Sequence, residues 1–152
     1  MTDFNPKKYS IGWIGAGRMG YPMAERLAKA GCDVAIYNRT KSKAEPLAEV
    51  GVTIVDSPAD LAGRDVIFTM VATSEDLIEV ISGANGVLSG NGGPPKLFVD
   101  CTSISEEASA QVRANVGKVG AAFIAAPVSG NGKVVKAGKL SIVASGPEEA
   151  YK

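Results

Sequence analysis

The sequence predicts an α/β fold, a single domain built on a doubly wound, mostly parallel sheet. Three observations carry this. Short apolar runs alternate along the chain with stretches of helical periodicity, the pattern of parallel strands joined by crossover helices. The first run, ending in Trp13-Ile14, leads straight into Gly15-Ala16-Gly17-Arg18-Met19-Gly20, a Gly-x-Gly-x-x-Gly turn between strand and helix. At 152 residues, with 45% hydrophobic and 21% charged residues, the chain is long enough for one buried core and ordinary for a globular domain.

Taken in order, residues 1–9 read as a flexible leader and residues 10–152 as the domain. The first strand runs from about Ser10 to Gly15. The helix after it places Met19, Met23, Leu27 and Ala30 on one stripe, so its methionines pack in the core, and Gly31 stops it. Pro22 in its first turns is expected to distort the entry. Cys32 to Tyr37 is the second strand. A helix over Ser42 to Glu49 ends at Gly51, and Val52 to Val55 is the third strand. Ser57 and Pro58 suit the cap and first position of another helix. Asp65 to Val71 is the fourth strand, followed by a helix carrying Leu77, Ile78 and Ile81. Gly83 to Pro95 is rich in Gly and Pro and reads as loop. Lys96 to Asp100 is the fifth strand, Ser105 to Val116 a helix, and Gly120 to Ala126 the next strand. Lys139 to Ser145 forms a last strand, after a turn over Pro127 to Gly132.

The glycine turn has the spacing and context of a dinucleotide site. Gly15 lets the chain leave the strand sharply. Gly17 has no side chain to keep a pyrophosphate away from the backbone, and Gly20 lets the helix lie close to the sheet. The helix amides and its positive dipole end then face the phosphates. In doubly wound sheets, ligands sit beyond the carboxyl ends of the strands. That rule singles out residues 15–20 (Gly15, Ala16, Gly17, Arg18, Met19, Gly20), Asn38 to Thr40, Val71-Ala72-Thr73, and Cys101 to Ser103.

The end of the second strand speaks to cofactor choice. An NAD site wants an acid here for the ribose 2′-hydroxyl, and none stands between Tyr37 and Ala44. Arg39 instead offers planar donors to a 2′-phosphate, with Asn38 and Thr40 adding hydrogen bonds and Lys41 and Lys43 adding positive field. The alternative is a polar loop with a solvated Arg39 and Thr40 capping the next helix. Ser103 with Glu106 forms a capping box, and its hydroxyl can serve as cap, as cofactor contact, or as both. The turn after Ala126 can form an anion-binding concavity from its amides, with Ser129 and Asn131 as side-chain donors to a small carboxylate. It reads equally well as a plain hairpin loop.

Composition removes several function classes. Lys plus Arg equals Asp plus Glu at 16 each, so no global field draws the chain to nucleic acid or a membrane surface. The apolar runs are far too short to span a bilayer, and residues 1–10 lack an apolar signal core. Cys32 and Cys101 lack metal-type spacing, which points to reduced thiols in a cytoplasmic compartment and to no metal. No histidine is present, so no histidine acts as base or ligand.

Several of these motifs together resemble the amino-terminal domain of the β-hydroxyacid dehydrogenases, which include 3-hydroxyisobutyrate dehydrogenase and the glyoxylate/succinic semialdehyde and tartronate semialdehyde reductases. Ile14-Gly15-Ala16-Gly17-Arg18-Met19-Gly20-Tyr21-Pro22-Met23-Ala24 is similar to the family's opening fingerprint, with Ala16 for the usual leucine. Asn38-Arg39-Thr40 matches the form of NADP-preferring members. Val99-Asp100-Cys101-Thr102-Ser103 resembles a segment in which Ser103 stands where a threonine approaches the nicotinamide. Ala126-Pro127-Val128-Ser129-Gly130 resembles the loop that holds the substrate carboxylate, with Ala125 for the usual acid and Asn131 for the usual second glycine. The resemblance implies a Rossmann-type domain and an NADP cofactor. It implies hydride transfer between nicotinamide and a small β-hydroxyacid or its semialdehyde, with Ser129, Gly130 and Asn131 on the substrate. The family's catalytic lysine lies in a second, all-helical domain, and no segment here matches it, so no residue of this chain is assigned a catalytic role. Gly146 to Ala150 begins a helix that stops at Lys152, which reads as a truncation before that domain. The apolar face so exposed would favour a homodimer. The alternative functions are a non-catalytic dinucleotide-binding module for assembly or sensing and, more weakly, a flavin or other nucleotide site.

Overall fold

The computed structural model describes residues 9–102, 105–129, 135, 141–142 and 146. Its centre is a six-stranded sheet of β1 (Ser10–Ile14), β2 (Asp33–Tyr37), β3 (Thr53–Ile54), β4 (Val66–Thr69), β5 (Leu97–Asp100) and β6 (Ala122–Ala125). The spatial order is β3-β2-β1-β4-β5-β6, and every pairing is parallel. The first crossover from β1 runs to β2 on one side, and the chain then returns to lay β4 on the other side of β1. The strand order therefore reverses at β1, and a crevice opens beyond its carboxyl end.

Strand alternation divides the core into two layers. Ile11 and Trp13 of β1 and Val34 and Ile36 of β2 face one side, with Met23 and Ala24 of α1 (Gly20–Lys29). Ile14, Ala35, Ile67, Phe98 and Phe123 face the other, with Leu77 and Ile81 of α2 (Ser74–Ser82) and Val112 and Val116 of α3 (Glu106–Gly117). These four α2 and α3 side chains are fully buried, each contributing about 1.5–3 kcal/mol by removal from water. Gly12 lies where β1 meets this second layer, and a Cβ there would stand 2.5 Å from Ile67 Cδ1, so that methyl would have to move aside. A short antiparallel pair, β7 (Val128–Ser129) with β8 (Ser141–Ile142), lies outside the main sheet. The rest of the expected last strand lies outside the described residues.

Three local expectations are corrected. Residues 42–49 do not form an α-helix but two 3-10 segments, Lys41–Lys43 and Glu45–Val50. Pro46 lacks an amide hydrogen, and so short a run gains little from α-helical cooperativity. Pro58–Leu61 is likewise a 3-10 turn, though with Ser57 as its cap and Pro58 at its start as expected, the Ser57 amide donating to Asp60 Oδ2 at 3.1 Å. Pro22 is accommodated in the first turn of α1 (Gly20–Lys29). Tyr21 and Met23 on either side donate to Gly17 and Met19 at 3.0 and 3.2 Å, so the i→i−4 pattern is interrupted only at the N–H that Pro22 lacks. The cap of α3 is Ser105, whose hydroxyl accepts from the Ala108 amide at 3.2 Å, not Ser103.

Candidate cofactor site

Parallel registry brings the strand ends together. Ile14 pairs with Tyr37 on one side and Thr69 on the other, and Thr69 with Asp100. Beyond them lies a cavity of about 590 Å³ whose wall includes Gly15, Gly17 to Gly20, Asn38 to Thr40, Lys43, Val71, Ala72, Asp76 and Glu79.

The glycine turn is fitted tightly on two sides and open on the third. Gly15 has φ +109°, and a Cβ on it would stand 2.0 Å from the Met70 carbonyl oxygen. A Cβ on Gly20 would stand 2.0 Å from the Gly15 carbonyl oxygen, so α1 reaches the turn only with glycine there. A Cβ on Gly17 would meet nothing within 4 Å. The start of α1 has no side-chain cap and no acid in its first turn. Among the described residues, the amides of Gly17, Arg18 and Met19 have no hydrogen-bond partner. Unpartnered amides at a positive helix end, beside empty space, fit a pyrophosphate. The buried side of the turn is braced. The Gly15 amide donates to Tyr37 O and the Trp13 indole to Gly15 O, both at 2.9 Å.

Ala16 and Asn38 have a structural task. The Ala16 amide donates to Asn38 Oδ1 at 2.9 Å, and Asn38 Nδ2 donates to Thr40 O at 2.8 Å. Asn38 thereby ties the glycine turn to the end of β2. Ala16 is buried and absent from the cavity wall. Arg39 extends across the mouth and pairs with Asp76 in the first turn of α2. Its side chain remains 77% exposed, that of Asp76 24%. Thr40 lines the cavity and its side chain caps nothing. The two lysines divide. Lys41 turns to Asp56 at 2.6 Å, an interaction that raises its pKa, and is not on the cavity wall. Lys43 is on the wall, without an ion pair among the described residues.

At the end of β4, Val71 and Ala72 line the cavity. Thr73 does not. It is the cap of α2, its Oγ1 accepting from the Asp76 amide at 3.1 Å. The Val71 amide donates to Thr102 Oγ1 at 3.0 Å, which joins the ends of β4 and β5. Behind this link, Asp100 is buried at 1% exposure. Its Oδ1 accepts from Thr69 Oγ1 at 2.8 Å and from the Thr102 amide at 3.0 Å, and its Oδ2 has no partner among the described residues. Burial raises its pKa above the ordinary carboxylate value, against those hydrogen bonds. The neighbouring Cys101 thiol is pushed up to about 12 by burial and by the Asp100 charge, so it stays protonated and inert. Both Cys32 and Cys101 are buried and unpaired. Ser103, Gly130 and Asn131 lie outside the described residues, and Ser129 is placed only through its main chain in β7. Sequence reasoning gave no role to Asp76, Glu79 or Trp13, whose parts emerge only from contacts between distant segments, and singled out Thr102 only as one of residues 101–103.

Among the described residues, no group of His, Cys, Asp and Glu could hold a metal ion, and no helix is long and apolar enough to cross a membrane.

Comparison with known proteins agrees with this geometry. Residues 10–152 match the family described as the NAD binding domain of 6-phosphogluconate dehydrogenase. Glyoxylate/succinic semialdehyde reductase 2 of Arabidopsis thaliana, a chloroplastic protein, is 39% identical over 143 residues, which are 93% of this chain and 40% of that one. The mitochondrial 3-hydroxyisobutyrate dehydrogenase of Bos taurus is 38% identical over 145 residues, covering 95% of this chain and 43% of its own length. The solved 3-hydroxyisobutyrate dehydrogenase of Mycobacterium tuberculosis with L-serine superposes with a TM-score of 0.84 at 29% identity, covering 95% of this chain and 49% of that one. The chain thus spans less than half the length of these relatives.

Proposed function

Because this chain belongs to the β-hydroxyacid dehydrogenase family, as an amino-terminal NAD-binding domain of the 6-phosphogluconate dehydrogenase type, we propose that it is the NADP(H)-binding half of an oxidoreductase. The parent enzyme transfers hydride between nicotinamide and a small β-hydroxyacid or the corresponding semialdehyde. The observation that carries the cofactor choice is the wall of the cavity beyond β2. Arg39 and Lys43 stand there, with no acid between Tyr37 and Ala44 to accept from a ribose 2′-hydroxyl.

In this reading the amides of Gly17, Arg18 and Met19 hold the pyrophosphate, while Arg39, Thr40 and Lys43 hold the 2′-phosphate. Asn38 keeps the two parts in register. Val71, Ala72 and Ser103 line the way to the nicotinamide, and the loop from Ser129 through Gly130 and Asn131 takes the substrate carboxylate. Bound there, the nicotinamide supplies the redox step. The proton is handled by a lysine of the helical domain that accompanies this one in the family, so this chain by itself turns nothing over. The unpaired thiols support a cytoplasmic location, and the face turned toward the helical domain is where a homodimer would form.

The test is a titration of the chain with NADPH and with NADH, by calorimetry and by the fluorescence of Trp13, its only tryptophan. NADPH should bind more tightly, and Arg39→Ala should remove most of the difference. Because Arg39 is largely exposed, the loss should fall near the low end for a charge-assisted contact, about 1.5 kcal/mol or tenfold. Equal affinity for the two cofactors would refute the phosphate role. A non-catalytic module would bind equally well but would not need the Ser129 loop, and replacing that loop would then leave a parent enzyme's substrate affinity untouched.

A further inference from the structure

Three described cations stand on the cavity wall, Arg18, Arg39 and Lys43. Only Arg39 among them has an acidic partner, and that partner, Asp76, lines the same cavity. The pair spans the crevice at the strand-order reversal, from the end of β2 to the first turn of α2. The position of Asp76 is fixed by its own backbone, since its amide donates to Thr73 Oγ1. Its carboxylate is therefore carried by a capped helix start rather than by a loose loop.

We infer that Asp76 is a specificity-determining residue, which holds Arg39 in an ion pair that a 2′-phosphate must break. The inference rests on the reading of Arg39 as the 2′-phosphate ligand. A dinucleotide without the extra phosphate leaves the pair intact and gains or loses nothing from it. A dinucleotide with it must draw the guanidinium away from Asp76. It must also accept a dianion close to that carboxylate, which raises the cost further. Asp76 thus lowers affinity for the phosphorylated cofactor alone and narrows the discrimination that Arg39 creates. An acid in this role leaves the unphosphorylated cofactor within reach of the same site.

The test is a double-mutant cycle on the intact chain, with NADPH and NADH dissociation constants measured by calorimetry for the wild type, Asp76→Asn, Arg39→Ala and the double variant. Circular dichroism checks that α2 is kept, as the Thr73 cap predicts. Asp76→Asn should tighten NADPH roughly threefold to tenfold, the scale of an exposed ion pair plus the relieved repulsion. It should move NADH less than about twofold in either background, and in the Arg39→Ala background, where only the repulsion is left to relieve, it should tighten NADPH by less than it does in the wild type. An unchanged or weakened NADPH affinity in Asp76→Asn, or an equal change for both cofactors, overturns the inference while leaving Arg39's role standing. If Arg39→Ala leaves the NADPH to NADH ratio unchanged, the phosphate reading itself fails and this inference falls with it.

Discussion

Trp13 donates its indole Nε1–H to the carbonyl oxygen of Gly15 at 2.9 Å. The ring also stacks on Phe68, with centroids 5.3 Å apart. A core side chain of β1 thereby holds the first peptide of the glycine turn from below, while Tyr37 O receives its amide. Trp13→Phe keeps a ring against Phe68 but leaves the Gly15 carbonyl without its donor. Stability should fall by about 1–3 kcal/mol, measured by urea denaturation. NADPH and NADH affinities, read by calorimetry, should fall by the same factor, because the turn serves the part the two cofactors share.

The three glycines of the turn should separate into structural and ligand positions. Gly17→Val adds bulk where a Cβ meets nothing within 4 Å, at a position without positive φ. Its denaturation midpoint should stay near the wild type, within about 0.5 kcal/mol, while dinucleotide affinity falls by at least about tenfold. Gly20→Ala places a Cβ 2.0 Å from the Gly15 carbonyl oxygen and should destabilise the fold by about 2 kcal/mol or more, through lifting α1 off the turn. A Gly17→Val protein that still binds dinucleotide would show that the open face is not the phosphate side.

The two lysines after β2 should differ although they are near neighbours in sequence. Lys43 lines the cavity without an ion pair among the described residues, while Lys41 is engaged by Asp56 outside it. Lys43→Ala should weaken NADPH about threefold to fivefold, close to 1 kcal/mol, and NADH less. Lys41→Ala should change either affinity by less than about twofold. The comparison is best made at low salt, where screening is weakest.

Local pattern made most of the framework legible. The apolar run ending in Trp13-Ile14 marked β1, and Gly15, Gly17 and Gly20 announced the turn by their spacing together with the strand before it and the helix after it. What misled was also local. The run 42–49 has helical composition, but Pro46 and its shortness favour 3-10 turns. Ser103 and Ser105 both precede acids, and spacing pointed to the capping box at Ser103 and Glu106, whereas the chain uses Ser105. Thr73 ends a strand, which marks it as a cofactor contact, but a β-strand end here is also a helix start, and the capping role of its hydroxyl was not legible. The Arg39 and Asp76 pair joins residues 37 positions apart, a separation that only the folded sheet can close.

Asp100 gives the site a pH dependence of stability. Burial raises its pKa above 3.8 in the fold, so the folded chain binds this proton more tightly than the unfolded chain does. Its stabilising contribution is therefore complete below the ordinary carboxylate value and is lost as pH rises through the raised one. Above that raised value the fold holds a buried carboxylate whose Oδ2 has no partner among the described residues. Asp100→Asn keeps an acceptor for Thr69 and the Thr102 amide and removes that charge. Thermal denaturation across pH 4 to 8 should show the variant melting above the wild type at the neutral end. The two curves should converge toward the acid end, as the wild-type carboxyl takes up its proton. A wild type that gained stability over the variant as pH rose would mean that the hydrogen bonds from Thr69 and Thr102 outweigh burial, and that the junction between β4 and β5 is held by the charged carboxylate.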